Sequence, residues 1–262
     1  MEYALVSVVS LLVSALALYS GFGLGTLLMP VFAIFFPVPI AVASTAVVHL
    51  ANNVFRITIV GRSANWGIVL AFGLPAAALA LVGAFLLVQM SEIAPLATYH
   101  IGETAFTVTT VKLVVAALII AFALFELLPF LSRVAFPRRF VPVGGALSGF
   151  FGGLSGHQGA LRSAVLSKVG LETATFVGTV SVCAFMVDAS RLAVYGVTFF
   201  ARDIGEVAEG KAISLIGVAI VAAFVGTFAS SRLLKQVTMK MVRRLVGVML
   251  MALGLALASG LV

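Results

Sequence analysis

Charge is what this sequence most conspicuously lacks. Only 10% of its 262 residues are Asp, Glu, Lys or Arg, whereas a soluble domain carries about 25%. So few charged groups cannot cover a water-facing surface, which excludes an ordinary soluble globule and leaves lipid as the solvent. Cysteine is nearly absent too. The lone Cys183 excludes an internal disulfide and any cysteine metal cluster. No basic run carries interleaved aromatics, so nucleic acid is not an expected partner. Met1-Glu2-Tyr3 lacks the positive stretch of a signal peptide and no cleavage site follows. The N-terminus therefore reads as part of the mature chain. No metal and no cofactor is expected.

What is present is apolar. Hydrophobic residues make up 62% of the chain, and 21 phenylalanines are spread along it; mean hydropathy is +1.23. One membrane domain follows, embedded in the lipid bilayer. The net charge of +7 is topological in origin, because Lys and Arg hold loops on the cytoplasmic side.

A spanning helix needs roughly 20 apolar residues. Six stretches meet that length, near 38–60, 67–89, 107–128, 173–199, 211–231 and 243–261. Two further apolar runs, 4–36 and 141–171, are too long for one span. They are interrupted by Gly21-Phe22-Gly23-Leu24-Gly25 and by Gly152-Gly153-Leu154-Ser155-Gly156-His157-Gln158-Gly159. The pieces flanking each break are about 14–17 residues, short for a full crossing.

The two broken runs sit 135 residues apart. At that offset Ser20-Gly21 falls on Ser155-Gly156, Ser44 on Thr179, Arg56 on Arg191 and Gly61 on Gly196. The order of segments predicts a duplication, with 1–130 as the first repeat and 131–262 as the second. Charge placement predicts its topology. If each broken run crossed once, the basic loops at 129–141 and 232–244 would face opposite sides, against the positive-inside rule. If each run instead enters and returns, Arg62, Arg133, Arg138, Arg139, Lys168 and the five charges of 232–244 share one side. The expected fold is an all-α polytopic membrane protein of two inverted-topology repeats. Each repeat has a Gly-broken re-entrant segment plus three transmembrane helices, and both termini lie outside.

Irregular backbone at membrane depth must be buried in protein or line a wet cavity, and a half-helix that starts after a break points free N–H groups at that cavity. Gly23, Gly25 and Gly159 are therefore candidate binding positions. Gly145, Gly149 and Gly153 recur every fourth residue and read as a packing stripe. His157, Gln158 and Arg162 lie at or just after the second break, and intramembrane polar groups of this kind usually face a cavity. Arg162 can bind an oxyanion through its donor fork, or snorkel, or pair with Glu172. Thr45, His49, Asn52 and Arg56 recur at i, i+4, i+7 and i+11 and, with Asn53, form one polar stripe. Arg56 doubles as a candidate anchor at the cytoplasmic end. Asp188 and Arg191, at i and i+3, read as a structural pair. Lys112 and Glu126 mark the ends of a span, with Glu126 able to relay a proton.

Gly21-Phe-Gly-Leu-Gly-Thr-Leu-Leu-Met-Pro30, His49-Leu-Ala-Asn-Asn-Val-Phe-Arg56, Gly61-Arg-Ser-Ala-Asn-Trp66 and Gly156-His-Gln-Gly-Ala-Leu-Arg-Ser163 together resemble the TauE/SafE family of bacterial sulfite and organosulfonate exporters. The resemblance covers nearly the whole chain. It implies a multi-pass carrier in the bacterial cytoplasmic (inner) membrane for sulfite, a sulfonate or a related small anion. Export also agrees with the membrane field, which assists an anion leaving the cell by about 2.3 kcal/mol per charge per 100 mV. A coupling proton or cation and the oligomeric state are left open. Two rival readings stand beside the carrier. One is an anion channel, because re-entrant half-helices also build pores. The other is an intramembrane serine protease, from Gly153-Leu-Ser155-Gly and His49-x-x-x-Asn53, although its nucleophile needs a base on a later helix and no histidine follows His157.

Overall fold

Lipid offers backbone groups no hydrogen bonds, so an apolar chain satisfies them within helices, and helices dominate here. The computed structural model describes residues 2–20, 24–128, 137–200, 211–233 and 239–261. The first half comprises α1 (Glu2–Ser20), α2 (Leu24–Ala33), α3 (Val38–Val60), α4 (Trp66–Ser91) and α5 (Thr110–Leu127). The second comprises α6 (Val141–Ser155), α7 (Gly159–Leu166), α8 (Thr173–Tyr195), α9 (Lys211–Leu233) and α10 (Met239–Ala258). Five stretches of the described residues are long and apolar enough to cross a membrane: Val38–Ser63, Trp66–Ser91, Thr110–Leu127, Thr173–Thr198 and Ala212–Ser230. The protein is thus a polytopic, mostly helical membrane protein. Large apolar side chains such as Val8, Leu70, Phe85, Val143, Val221 and Val248 stay exposed on the helices, where lipid would meet them.

Local signals set the helix ends. Pro37 and Pro39 open α3, where a missing N–H costs nothing. The Thr109 side chain accepts from the Lys112 N–H at 3.2 Å and caps α5. Asn65 does the same for the Ile68 N–H at 3.1 Å. Gly156 ends α6 with φ +81°, its N–H donating to the Gly152 carbonyl, a left-handed cap that glycine adopts freely.

Both broken segments have unequal arms. The first has helices of 19 and 10 residues, the second of 15 and 8. The second segment folds back on itself. Arg138, just before α6, donates to the Val169 carbonyl beyond α7 at 2.6 Å. A Cβ on Gly144 would press on Val165, and the Ser148 hydroxyl donates to the Gln158 carbonyl at 3.0 Å. Helices α6 and α7 are therefore an antiparallel pair.

Packing directions follow from similar contacts. Helices α4 and α6 run the same way: Gly145, Gly149 and Gly153 lie against the carbonyls of Phe72, Ala76 and Ala80, so close that a Cβ would collide. Helices α1 and α9 also run the same way. Tyr3 meets Ser214 at 2.7 Å, Gly226 lies on the Leu11 carbonyl, and the Ser230 hydroxyl donates to the Ala15 carbonyl at 2.6 Å. Helices α3 and α8 run oppositely, with Gly178 at the Val60 carbonyl and Asp188 at Asn53. So do α5 and α10, with Gly247 beside Leu127 and Gly254 beside Ile120.

The all-α expectation needs one addition. Strands β1 (Ala97–Ile101) and β2 (Thr104–Val108) form an antiparallel hairpin. Gly102 turns it with φ +63°. Tyr99 stacks on Phe106 and its hydroxyl donates to the Ser259 carbonyl, pinning the hairpin to the end of α10.

Candidate functional site

The polar stripe of α3 lies wholly inside the protein. Ser44, Thr45, His49, Asn52, Asn53 and Arg56 are all buried, Arg56 only 1% exposed. Helical spacing puts them on one face, and that face meets α8 rather than lipid. Opposite it, the break after α6 delivers His157 and Gln158, and the first turn of α7 delivers Gly159 and Arg162; all four are buried. Arg162 neither snorkels nor reaches Glu172. It is 1% exposed, and its Nη1 donates to the Gln158 side-chain oxygen at 3.0 Å.

Asp188 joins the two halves. One carboxylate oxygen accepts from His49 Nδ1 at 2.6 Å and from Asn53 Nδ2 at 2.8 Å. The other accepts from Arg191 Nη2 at 2.7 Å and Nε at 3.0 Å, and from Gln158 Nε2 at 3.1 Å. The Asp188–Arg191 pair read from spacing is present, yet it is also the point where residues of α3, α8 and the break between α6 and α7 converge. Asn53 and Asp188 are separated by 135 residues, the same offset that superposes the two broken runs. The breaks themselves approach one another. A Cβ on Gly25 would lie 3.3 Å from the Gly156 carbonyl and 3.5 Å from Thr45. Gly23 lies outside the described residues.

Two further helices complete the surround. Asn52 accepts from the Thr227 hydroxyl of α9 at 2.8 Å. His157 donates from Nδ1 to the Ser155 carbonyl at 2.8 Å, and its ring lies nearly parallel to Phe122 of α5, 6.1 Å away. Neither histidine is placed as the base of a serine nucleophile. The Ser155 hydroxyl donates to the Phe151 carbonyl at 3.0 Å, His157 bonds the Ser155 backbone, and His49 is held by Asp188.

Charge does not balance in this cluster. Arg191 has Asp188, but among the described residues no carboxylate pairs with Arg56 or Arg162. Each leaves Nε and Nη2 without a hydrogen-bond partner, and the two guanidiniums are near enough to repel one another. Asn52 Nδ2, His49 Nε2 and the hydroxyls of Ser44 and Thr45 are likewise unpartnered and buried. Buried cations without counter-charge cost several kcal/mol each, and buried donors are normally satisfied. Such an arrangement suits an anionic guest that accepts several hydrogen bonds at once. Among the described residues, no group of three His, Cys, Asp or Glu side chains could hold a metal.

A family model described as "Sulfite exporter TauE/SafE" matches residues 6–257. The chain belongs to the TauE/SafE family. No curated protein and no solved structure matches it. TauE/SafE proteins are membrane exporters of sulfur compounds, transporters rather than enzymes, and membership accords with the several apolar helices of this chain and with a small anionic substrate.

Sequence reading selects His157, Gln158, Gly159, Arg162, Thr45, His49, Asn52, Asn53, Gly23 and Gly25. It places Arg56 on the same stripe and as an end anchor, and reads Asp188 as a structural partner of Arg191. Arg56 carried a usable signal, since it sits on the same helical face as Thr45, His49 and Asn52. Asp188 carried only its offset from Asn53.

Proposed function

We propose that this protein exports a small sulfur oxyanion, sulfite or a sulfonate, by alternating access around the buried cluster. The observation that carries the reading is the pair Arg56 and Arg162, two buried guanidiniums with free N–H groups and, among the described residues, no carboxylate in hydrogen-bonding contact. A pyramidal or tetrahedral oxyanion accepts from such forks and cancels their charge. Gln158, Thr45, His49, Asn52 and Asn53 supply the remaining polar wall, with His157 and Gly159 at the break and Gly23 and Gly25 at its counterpart.

The two halves, 1–130 and 131–262, act as inverted repeats. Helix directions support this. If each broken segment returns to its own side, α3 and α8 must be antiparallel, α5 and α10 antiparallel, and α1 and α9 parallel. Single crossings of both segments would make α3 and α8, and α5 and α10, parallel; with the second segment returning, a single crossing of the first alone would make α1 and α9 antiparallel. The contacts of Asp188 with Asn53, Gly254 with Ile120 and Tyr3 with Ser214 accord with the re-entrant arrangement. Partners also exchange between halves: α1 packs on α9 as α6 packs on α4. Rocking about the α3–α8 contact would open the cluster to either side in turn. Positive loops then put both termini outside a bacterial inner membrane.

The reading is tested by sulfite and sulfonate flux in proteoliposomes, wild type against Arg162→Ala and His157→Ala. Saturable flux with counterflow, lost in Arg162→Ala, is expected. Unchanged flux in both variants overturns the site, and conductance near the diffusion limit without saturation makes it a channel.

A further inference from the structure

We propose that His49 is the proton-binding residue of the transport cycle: a proton joins its Nε2 when the anion enters and leaves when the anion leaves. This rests on the reading of the cluster as an anion site and adds the coupling ion to it.

The geometry fixes each nitrogen's role. Nδ1 lies 2.6 Å from the Asp188 carboxylate, so it carries hydrogen and donates. In neutral imidazole Nε2 then holds the lone pair. That atom is buried and has no partner. Asp188 is a poor alternative carrier, because one oxygen is held by Arg191 and Gln158 and the other by His49 and Asn53. The neighbours bear on the charge. Helix α8 faces His49 with Asp188 and Arg191, and α7 with Arg162. Its own helix adds Arg56 two turns on, and Cys183 and Tyr195 lie elsewhere on α8, both buried. Residues 24–33 of α2, 66–91 of α4 and 212–230 of α9 contain no titratable side chain, and α5 has only Lys112 and Glu126 at its ends.

Among the described residues, three arginines against one aspartate leave the cluster with a net charge of +2 before His49 is counted. A proton on Nε2 is opposed by that field while no anion is bound. An oxyanion against Arg56 and Arg162 reverses the balance, and proton and anion then strengthen each other's binding by the same factor. Transport consequently moves one negative charge fewer than the anion carries. A sulfonate monoanion then crosses without net charge, driven by its own gradient rather than by the field, and a dianion crosses as a monoanion that the field still assists.

The experiment is calorimetric binding of sulfite, isethionate and sulfoacetate to purified protein, between about pH 5.5 and 8 where histidine titrates. Two buffers of different ionisation heat give the protons taken up per anion. Wild type is compared with His49→Gln and His49→Asn, each checked for monodispersity. Sulfite's own protonation is common to all three proteins, so the difference between them counts the proton on His49. Wild type is expected to take up close to one proton more than either variant, with affinity in both variants weaker by about tenfold and, for isethionate, flat with pH. Anion binding without proton uptake in wild type overturns the proton role and leaves the anion site standing. Proton uptake that persists in both variants overturns the assignment to His49. Failure of wild type to bind any of the three anions overturns both readings.

Discussion

Arg56 separates the demands of stability from those of binding. In the anion-free protein its unpaired N–H groups and the nearby Arg162 cost free energy, and an unsatisfied buried donor costs about 1–3 kcal/mol. Arg56→Met keeps most of the apolar volume and removes the charge. We expect it to raise the midpoint of thermal unfolding in detergent by a few degrees and to abolish the stabilisation that sulfite or a sulfonate gives wild type. A lower midpoint with the anion effect retained would make Arg56 a structural residue. Asp188→Asn should do the reverse. It strips Arg191 of its carboxylate at full burial, and breaking such a pair costs about 3–5 kcal/mol; a loss of that size in denaturant unfolding is the expected readout. Asp188 also shows where reading from sequence stopped. The i, i+3 spacing yields its bond to Arg191, because that contact lies within one helix. Its bonds to His49 and Asn53 cross between halves, and no local period encodes them.

Among the elements, the α4–α6 contact is the one most tightly specified by sequence. Gly145, Gly149 and Gly153 recur at helical spacing and meet backbone carbonyls directly, so the stripe was legible before its partner was. Gly149→Ala drives a Cβ into the Ala76 carbonyl, and neither backbone can yield without parting the helices. Overpacking of this kind costs about 1–3 kcal/mol. Gly217→Ala in α9 is the matched control, since nothing lies within 4 Å of the added atom; helix propensity favours it by up to about 1 kcal/mol. Unfolding midpoints and the yield of monodisperse protein should separate the two. Spans were legible for the same reason as the stripe: length and apolarity act locally, and the reading of 38–60 coincides with Val38–Val60. The hairpin was not. Its strands are five residues each and exposed or half-buried, and contacts with Ser259 and Gly260 near the end of α10 hold it, a partner some 150 residues away that no short window contains.

At the scale of the whole molecule, the test is which loops share a face of the membrane. Ser63 follows α3, and Lys168 follows the folded-back α6–α7 pair; both are exposed. With re-entrant segments, α4 and α5 carry the chain out and back between these positions, and α6–α7 adds no crossing. Ser63 and Lys168 then lie on one side and Thr98, in the exposed strand β1, on the other. With single crossings the broken segment adds a third passage, so Ser63 and Lys168 fall on opposite sides. Cys183 is the lone cysteine and is buried beside Gly73, so Cys183→Ala supplies a background of near-conserved volume. Single cysteines at positions 63, 98 and 168 are then exposed to an impermeant thiol reagent on intact cells. Labelling at 98 alone is expected, with 63 and 168 reacting only after the membrane is opened. The two positions behaving differently would remove the inverted repeats. Both reacting from outside while 98 stays protected would keep the repeats but reverse the protein in the membrane, against the positions of Arg62, Arg138, Arg139 and Lys168.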